Sequence, residues 1–357
     1  MGQRLAAQND TKIAGVILMI GDGMGLAQVS TRFYYGEGEP QFARFPFIGL
    51  INTSSAVQKV TDSASGATAF STGVKTYNGA IGVDPDTMAL PTIVEQLSEE
   101  GWSTGLLATS SIVHATPASF YAHVPWRSQY EDIALQLVDS DVDFFAGGGK
   151  DFFFHREDGQ NLYQPLLDHG FTLDTTAIDP RATYDPGKKY GFLLADDGMP
   201  PMLNDRGDFL PQATHAALDY LSQSPNGFFL MVEGSQIDWG GHANEFAYLA
   251  TEVQDFDRAI GVALDFAEKR GDILVVVTAD HETGGLSLSA DGDNYNVIRP
   301  TFSTEGHSTT LIPVFAFGPG AEQFAGIYQN TDIYHKINRL IHDRSRSAPA
   351  GSAAQGG

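Results

Sequence analysis

Apolar residues in this chain fall in short continuous runs separated by amphipathic stretches. The strand-like runs are Ile13–Ile20, Phe47–Asn52, Ser103–Thr109, Val142–Ala146, Gly227–Val232, Asp272–Thr278 and Pro313–Phe317. Several are unbroken Val/Ile/Leu/Phe segments, the pattern of strands covered on both faces. Helical spacing predicts Ala27–Tyr35, Gly66–Thr72, Pro91–Glu100, Ser128–Leu137, Gln212–Ser222, Glu245–Lys269 and Thr331–Ile341. Pro91 suits a first helical turn and Gly101 a stop. This alternation predicts an α/β fold, a mainly parallel central sheet with helices on both faces. One domain is expected over 13–342, with an irregular excursion from the sheet at about 151–208, rich in Asp, Gly and Pro. Flexible ends are expected at 1–12 and 345–357.

The chain has 357 residues, 42% of them hydrophobic and 18% charged, so a large core can be buried. No apolar run is long enough to cross a bilayer. No leader is apparent from Met1 to Lys12, and a removed one would fit. Cysteine is absent, which leaves carboxylates, imidazoles and hydroxyls as the only metal ligands. A net charge of −23 argues against nucleic-acid binding. It also opposes an anionic substrate unless bound dications reverse the local potential.

Candidate chemistry collects just beyond the strands, where ligands sit in an open parallel sheet. The first run leads into Gly21-Asp22-Gly23-Met24-Gly25, and the third into Ser110, Ser111, His114 and Thr116. The fifth ends at Glu233 and the sixth at Ala279-Asp280-His281-Glu282. Four strands thus deliver metal-capable groups to one edge. The segment from Glu233 through Asp238, Trp239, Gly240 and Gly241 to His242 adds two carboxylates and an imidazole. Its glycines argue for a loop folded around a cation rather than a regular helix. In Thr61-Asp62-Ser63-Ala64, Ser63 would sit at a helix start, in the positive end of the dipole. Alone, that segment reads better as a helix cap than as a catalytic site.

These segments resemble the motifs of the alkaline phosphatase family, and they occur in that family's order. Further matches are Lys75-Thr76-Tyr77-Asn78-Gly79-Ala80-Ile81-Gly82, His114-Ala115-Thr116-Pro117, Gly147-Gly148-Gly149 and Gly306-His307-Ser308. The resemblance implies a metal-dependent phosphomonoesterase with Ser63 as nucleophile and a phosphoserine intermediate. It implies two zinc ions and one magnesium ion. Asp238, His242 and His307 would hold the first zinc; Asp22, Asp280 and His281 the second, beside Ser63. Glu233, Thr116 and the other oxygen of Asp22 would hold the magnesium. Arg127 would clamp phosphate, with His123 supporting its loop.

Some bacterial members carry Asp at the position of His114 and Lys at that of Trp239. The His/Trp pair resembles a marine bacterial subset, and His114 is expected to reach the third ion through water. The stretch from His281 to His307 lacks the large crown that many members insert. Small phosphate esters and inorganic phosphate are the expected partners, in a periplasmic or secreted setting. A homodimer is the family's habit, though contacts made by a crown cannot be carried over. The remaining His155, His169, His215, His335 and His342 read as surface or packing residues. Competing readings are a phosphodiesterase or sulfatase-like hydrolase of the same superfamily, or a non-catalytic metal- or phosphate-binding protein.

Overall fold

The computed structural model describes residues 11–343. Apart from Thr11 and Lys12, the ends expected to be flexible lie outside the described residues. Fourteen strands form among the described residues: β1 (Gly15–Gly21), β2 (Phe47–Asn52), β3 (Ser103–Ser111), β4 (Phe144–Gly148), β5 (Phe171–Asp174), β6 (Lys189–Leu193), β7 (Phe228–Gly234), β8 (Ile273–Thr278), β9 (Glu282–Thr283), β10 (Ser287–Asp291), β11 (Asn294–Thr301), β12 (His307–Ser308), β13 (Ile312–Phe317) and β14 (Gly326–Gln329). Ten of them make one sheet in the order β14-β2-β13-β8-β1-β7-β3-β4-β6-β5. Only β13 runs antiparallel to its neighbours. Each expected strand is present within two residues of its expected limits at either end.

The register decides where the chemistry goes. Ile20 pairs with Glu233 on one side and Thr278 on the other, and Ala108 also pairs with Glu233. The parallel strands β1, β3, β7 and β8 therefore end level with one another. Their interiors have essentially no exposure, being Val, Ile, Leu, Met and Phe in β1, β7 and β8 and mainly Leu, Ala and Thr in β3, and their large apolar side chains belong to one contiguous core. Side chains just past them inherit a rigid base.

Helices cover the sheet in two groups. The long helix Phe246–Arg270 packs on Phe209–Leu221, Gln236–His242, Leu26–Tyr35 and strands β1, β7 and β8. The other group brings Ser63–Thr72 against Thr331–His342 and Ala115–Ala118.

Three expectations need correction. Residues 151–208 do not simply leave the sheet, because β5 and β6 return and extend its edge in parallel. Pro91 is not in a first helical turn. The helix runs Ile93–Glu99, capped by Thr92, whose side chain accepts from Glu95 N while Glu95 accepts from Thr92 N. Finally, Gln236–His242 is a short helix despite Gly240 and Gly241. A Cβ on Gly240 would lie 2.6 Å from Leu249 N and 2.8 Å from its Cα. The glycine permits helix-to-helix contact here, which outweighs its poor propensity.

Candidate metal centre and nucleophile

Asp22 stands just past β1, Glu233 at the end of β7, and Asp280 and His281 just past β8. All four are fully buried. The turn after β1 is tight: Gly23 adopts φ +71°, and a Cβ there would meet Asp238 Cα at 2.8 Å. Gly23 N donates to Asp280 Oδ1 at 3.1 Å, tying the β1 and β8 ends together.

The helix Ser63–Thr72 starts three residues earlier than expected, at Ser63 itself. Asp62 caps it, its Oδ1 accepting from Ser65 N at 3.0 Å. This stations the Ser63 hydroxyl 3.3 Å from His281 Nε2 and 3.5 Å from Asp22 Oδ1. His281 Nε2 also lies 3.2 Å from Asp280 Oδ2. A second cluster sits beside the first. His242 Nε2 is 3.1 Å from His307 Nε2, and the two lie 3.4 and 3.6 Å from Asp238 Oδ1. The His281 and His307 rings stack with centroids 3.5 Å apart.

The imidazoles are oriented by their other nitrogens. Backbone carbonyls accept from Nδ1 of His307 (Thr61 O, 2.8 Å) and His242 (Glu305 O, 2.5 Å). His281 Nδ1 meets the Thr283 hydroxyl at 3.2 Å. With Nδ1 protonated, each Nε2 presents a lone pair inward, the arrangement found behind metal-binding histidines. Two facing lone pairs at 3.1 Å repel unless a cation lies between them. Tetrahedral ligands about 2.0–2.1 Å from an ion are separated by about 3.3–3.4 Å. Both clusters match that spacing, and in one of them Ser63 Oγ is a corner.

Charge makes the same demand. Asp22, Asp238, Glu233 and Asp280 crowd together, and among the described residues imidazoles rather than a Lys or Arg stand within ion-pair distance of them. Burial, then the charges of Asp280, Asp238 and Glu233, hold Asp22 well above the usual carboxylate range. Burial, with Asp280's charge adding, pushes Glu233 up to about 8 against the Ser235 and Ser110 hydrogen bonds. Burial likewise keeps His281 neutral, well below the ordinary histidine value. Asp22 Oδ2, Glu233 Oε1 and Asp280 Oδ2 are buried without hydrogen-bond partners. Buried carboxylates in this state are characteristic of cation ligands.

A third grouping joins Asp22, His114 and Glu233, with candidate ligand atoms within 4.8 Å of one another. Thr116 Oγ1 lies alongside Glu233 without a well-formed hydrogen bond. His114 Nε2 accepts from Arg127 at 3.3 Å, so its proton belongs on Nδ1, which is buried and unpartnered. Burial, then the Arg127 charge, lowers His114 to about 3. A neutral ring with Nδ1–H free is suited to donate to an ion-bound water. Trp239 meets His114 edge to face at 6.0 Å and packs on Gly198.

Arg127 N donates to Gly79 O at 2.7 Å. His123 holds the same loop, with Gly82 O 2.8 Å from Nδ1 and Glu95 Oε1 2.9 Å from Nε2. The groupings take in Asp22, His114, Glu233, Asp238, Asp280, His281 and His307, and His242, which is exposed, meets them through His307 and Asp238. His155, His169, His215, His335 and His342 join none of the metal-like groupings among the described residues.

Sequence reasoning missed the residues behind the ligands. Glu282 Oε1 accepts from Gln28 Nε2 at 2.7 Å, and Ser308 donates to Glu282 Oε2, bracing the His281 and His307 strands. Gln236 Nε2 donates to Thr109 O and Met199 O, and its Oε1 accepts from Tyr248. Adjacency to a ligand in sequence was the one available signal for Glu282 and Ser308.

The alkaline phosphatase family profile matches residues 13–304. The chain is 34% identical to alkaline phosphatase 3 of Bacillus subtilis (strain 168) over 421 aligned positions, covering 93% of this chain and 90% of that one. Those positions outnumber the residues of this chain, so the relative carries insertions absent here. The solved alkaline phosphatase of the Antarctic bacterium TAB5 superposes with a TM-score of 0.89 at 52% identity, covering 93% of this chain and 98% of that one. A histidine-to-aspartate variant of the TAB5 enzyme has been solved with magnesium in its M3 site. The cold-active alkaline phosphatase of a Shewanella species follows at TM-score 0.82 and 32% identity, covering 92% and 99%. With one imidazole–carboxylate cluster taking in Ser63 and a second beside it, these matches show that the chain belongs to the alkaline phosphatase family.

Proposed function

We propose that this protein hydrolyses phosphate monoesters to an alcohol and inorganic phosphate through a phosphoserine on Ser63. The observation that carries this reading is the position of Ser63 Oγ, a corner of the cluster made by Asp22, Asp280 and His281. Zinc would be held there and, next to it, by Asp238, His242 and His307. Magnesium would be held by Asp22, Glu233 and Thr116, with His114 reaching it through water. Bound dications neutralise the leaving oxygen and acidify hydroxyl groups and water.

The chain's own residues do the rest. Ser63 Oγ forms a bond to phosphorus as the ester P–O bond breaks, and the alcohol leaves with a proton. Arg127 presents its planar fork to two phosphate oxygens. It is pre-aligned by Asp62 Oδ2 at 3.1 Å and His114 Nε2 at 3.3 Å. The amides opening the Ser63–Thr72 helix favour the same anion. Water then bonds to phosphorus, the Ser63–phosphorus bond breaks, and Ser63 regains its proton.

A homodimer outside the cytoplasm completes the reading. Leu26, Phe33 and Tyr34 stand exposed on the helix after β1, as a partner-facing helix would leave them. No helix among the described residues is long and apolar enough to cross a membrane.

The test is Ser63→Ala with a chromogenic phosphate monoester and a diester at alkaline pH. Alanine suits a first helical turn, so the fold is retained. Monoester kcat/KM is expected to exceed the diester value in the wild type, and to fall by about 10³-fold or more in the variant. Undiminished monoester turnover by purified variant would sink the nucleophile assignment.

A further inference from the structure

We propose that Thr283 is a positioning residue that links the two zinc clusters through its single hydroxyl. This rests on the metal reading above. Thr283 is fully buried in β9, opposite His307 of β12. Its Oγ1 lies 2.5 Å from Asp238 Oδ1 and 3.2 Å from His281 Nδ1. Asp238 belongs to one cluster and His281 to the other.

Proton counting fixes the direction. An ionised carboxylate only accepts, so the one hydroxyl proton goes to Asp238. The hydroxyl must then accept from His281 Nδ1–H. That places the ring's lone pair on Nε2, the atom facing Asp22 Oδ1, Asp280 Oδ2 and Ser63 Oγ. The opposite tautomer would set an N–H where a cation must bind. The same hydroxyl holds Asp238 Oδ1, the oxygen nearest His242 and His307, in place.

The surroundings leave the threonine little freedom. Its N donates to Gly23 O at 3.1 Å and its carbonyl accepts from Gln28 Nε2 at 2.8 Å. A Cβ on Gly241 would meet Thr283 Cβ and Cγ2 at 3.0 Å, so the methyl face is closely packed. A Cβ on Gly23 would lie 2.7 Å from Thr283 Oγ1, so glycine makes room for the hydroxyl.

The experiment uses the full chain with Thr283→Val, which keeps the β-branched shape, and Thr283→Ser, which keeps the hydroxyl. Zinc dissociation constants are read by competition with a chromophoric chelator. The His281 tautomer in metal-free wild type is read by nitrogen–proton NMR. Loss of a partner behind a metal ligand weakens affinity about 10–100-fold. Thr283→Val is expected to show such a loss at both zinc sites, with Thr283→Ser close to wild type and His281 protonated on Nδ1. Unchanged zinc affinity in Thr283→Val, a loss confined to one site, or an Nε2-protonated His281 in the wild type would overturn the proposal. If the wild type binds no zinc, the metal reading fails by itself. The tautomer measurement needs neither zinc nor a variant, so it still decides the part played by Thr283.

Discussion

Arg127 Nη1 donates to Asp62 Oδ2 at 3.1 Å, and the other oxygen of that carboxylate caps the helix that begins with Ser63. Asp62 Oδ2 also accepts from Gly79 N at 3.0 Å. One side chain thus sets both the nucleophile and the phosphate clamp. Asp62→Asn can keep an oxygen for the cap but loses the charge that holds the guanidinium. The cap survives, since cap oxygens of Asn and Asp are near equivalents, but the amide nitrogen cannot accept from Gly79 N, so stability is expected to fall by about 1–3 kcal/mol. The grip on phosphate should loosen, raising the inhibition constant of inorganic phosphate by about 3–10-fold, or ~1 kcal/mol. Inhibition assays check this, and an unchanged constant would show that Arg127 is held by other contacts.

His123 offers a pH-dependent test of the Arg127 loop. Burial opposes its charged form, but the Glu95 hydrogen bond, the Gly82 carbonyl and the Glu95 charge outweigh it and raise its pKa. A histidine raised on folding contributes stability that is complete below its unfolded value of about 6.5 and is lost as pH rises through the folded value. Glu95 is partly exposed, so the contribution is about 1 kcal/mol or less. The Tm gap between wild type and His123→Gln should be widest near pH ~6 and narrow by pH ~9. A gap that widens with pH would contradict the pairing.

Gly240 tests the contact between the Gln236–His242 helix and the long helix behind it. Gly240→Ala would force Cβ against the Leu249 backbone, which is not a flexible neighbour. Overpacking of this kind costs about 1–3 kcal/mol. The expected outcome is a Tm lowered by a few degrees, with weaker zinc binding because Asp238 and His242 ride on the displaced helix. Equal Tm values would show that the contact relaxes without strain.

Much of the site follows from the order of residues alone. Continuous apolar runs specify buried parallel strands. Asp22, Glu233, Asp280 and His281 follow those runs directly, which puts them at one edge of a parallel sheet, while the order and register of β8, β1 and β7 bring them level. The short span between His281 and His307 is equally readable, and β9 and the β10–β11 hairpin fill it.

Tertiary structure decided what local propensity could not. Gly240 and Gly241 signal a loop by propensity, yet they are helical because Leu249 and Thr283 approach too closely for any side chain there. β5, β6 and β14 are as short as β4 but lack the continuous apolar run that announces it, and gain their identity from a waiting sheet edge. Asp62 and Ser63 read alone as a helix cap, and the cap is real. Only long-range packing brings Arg127 and His281 to them. Thr283 carries no local signal at all. Its role arises where β9 meets the Gln236–His242 helix, because hydrogen-bond direction depends on partners that are distant in sequence.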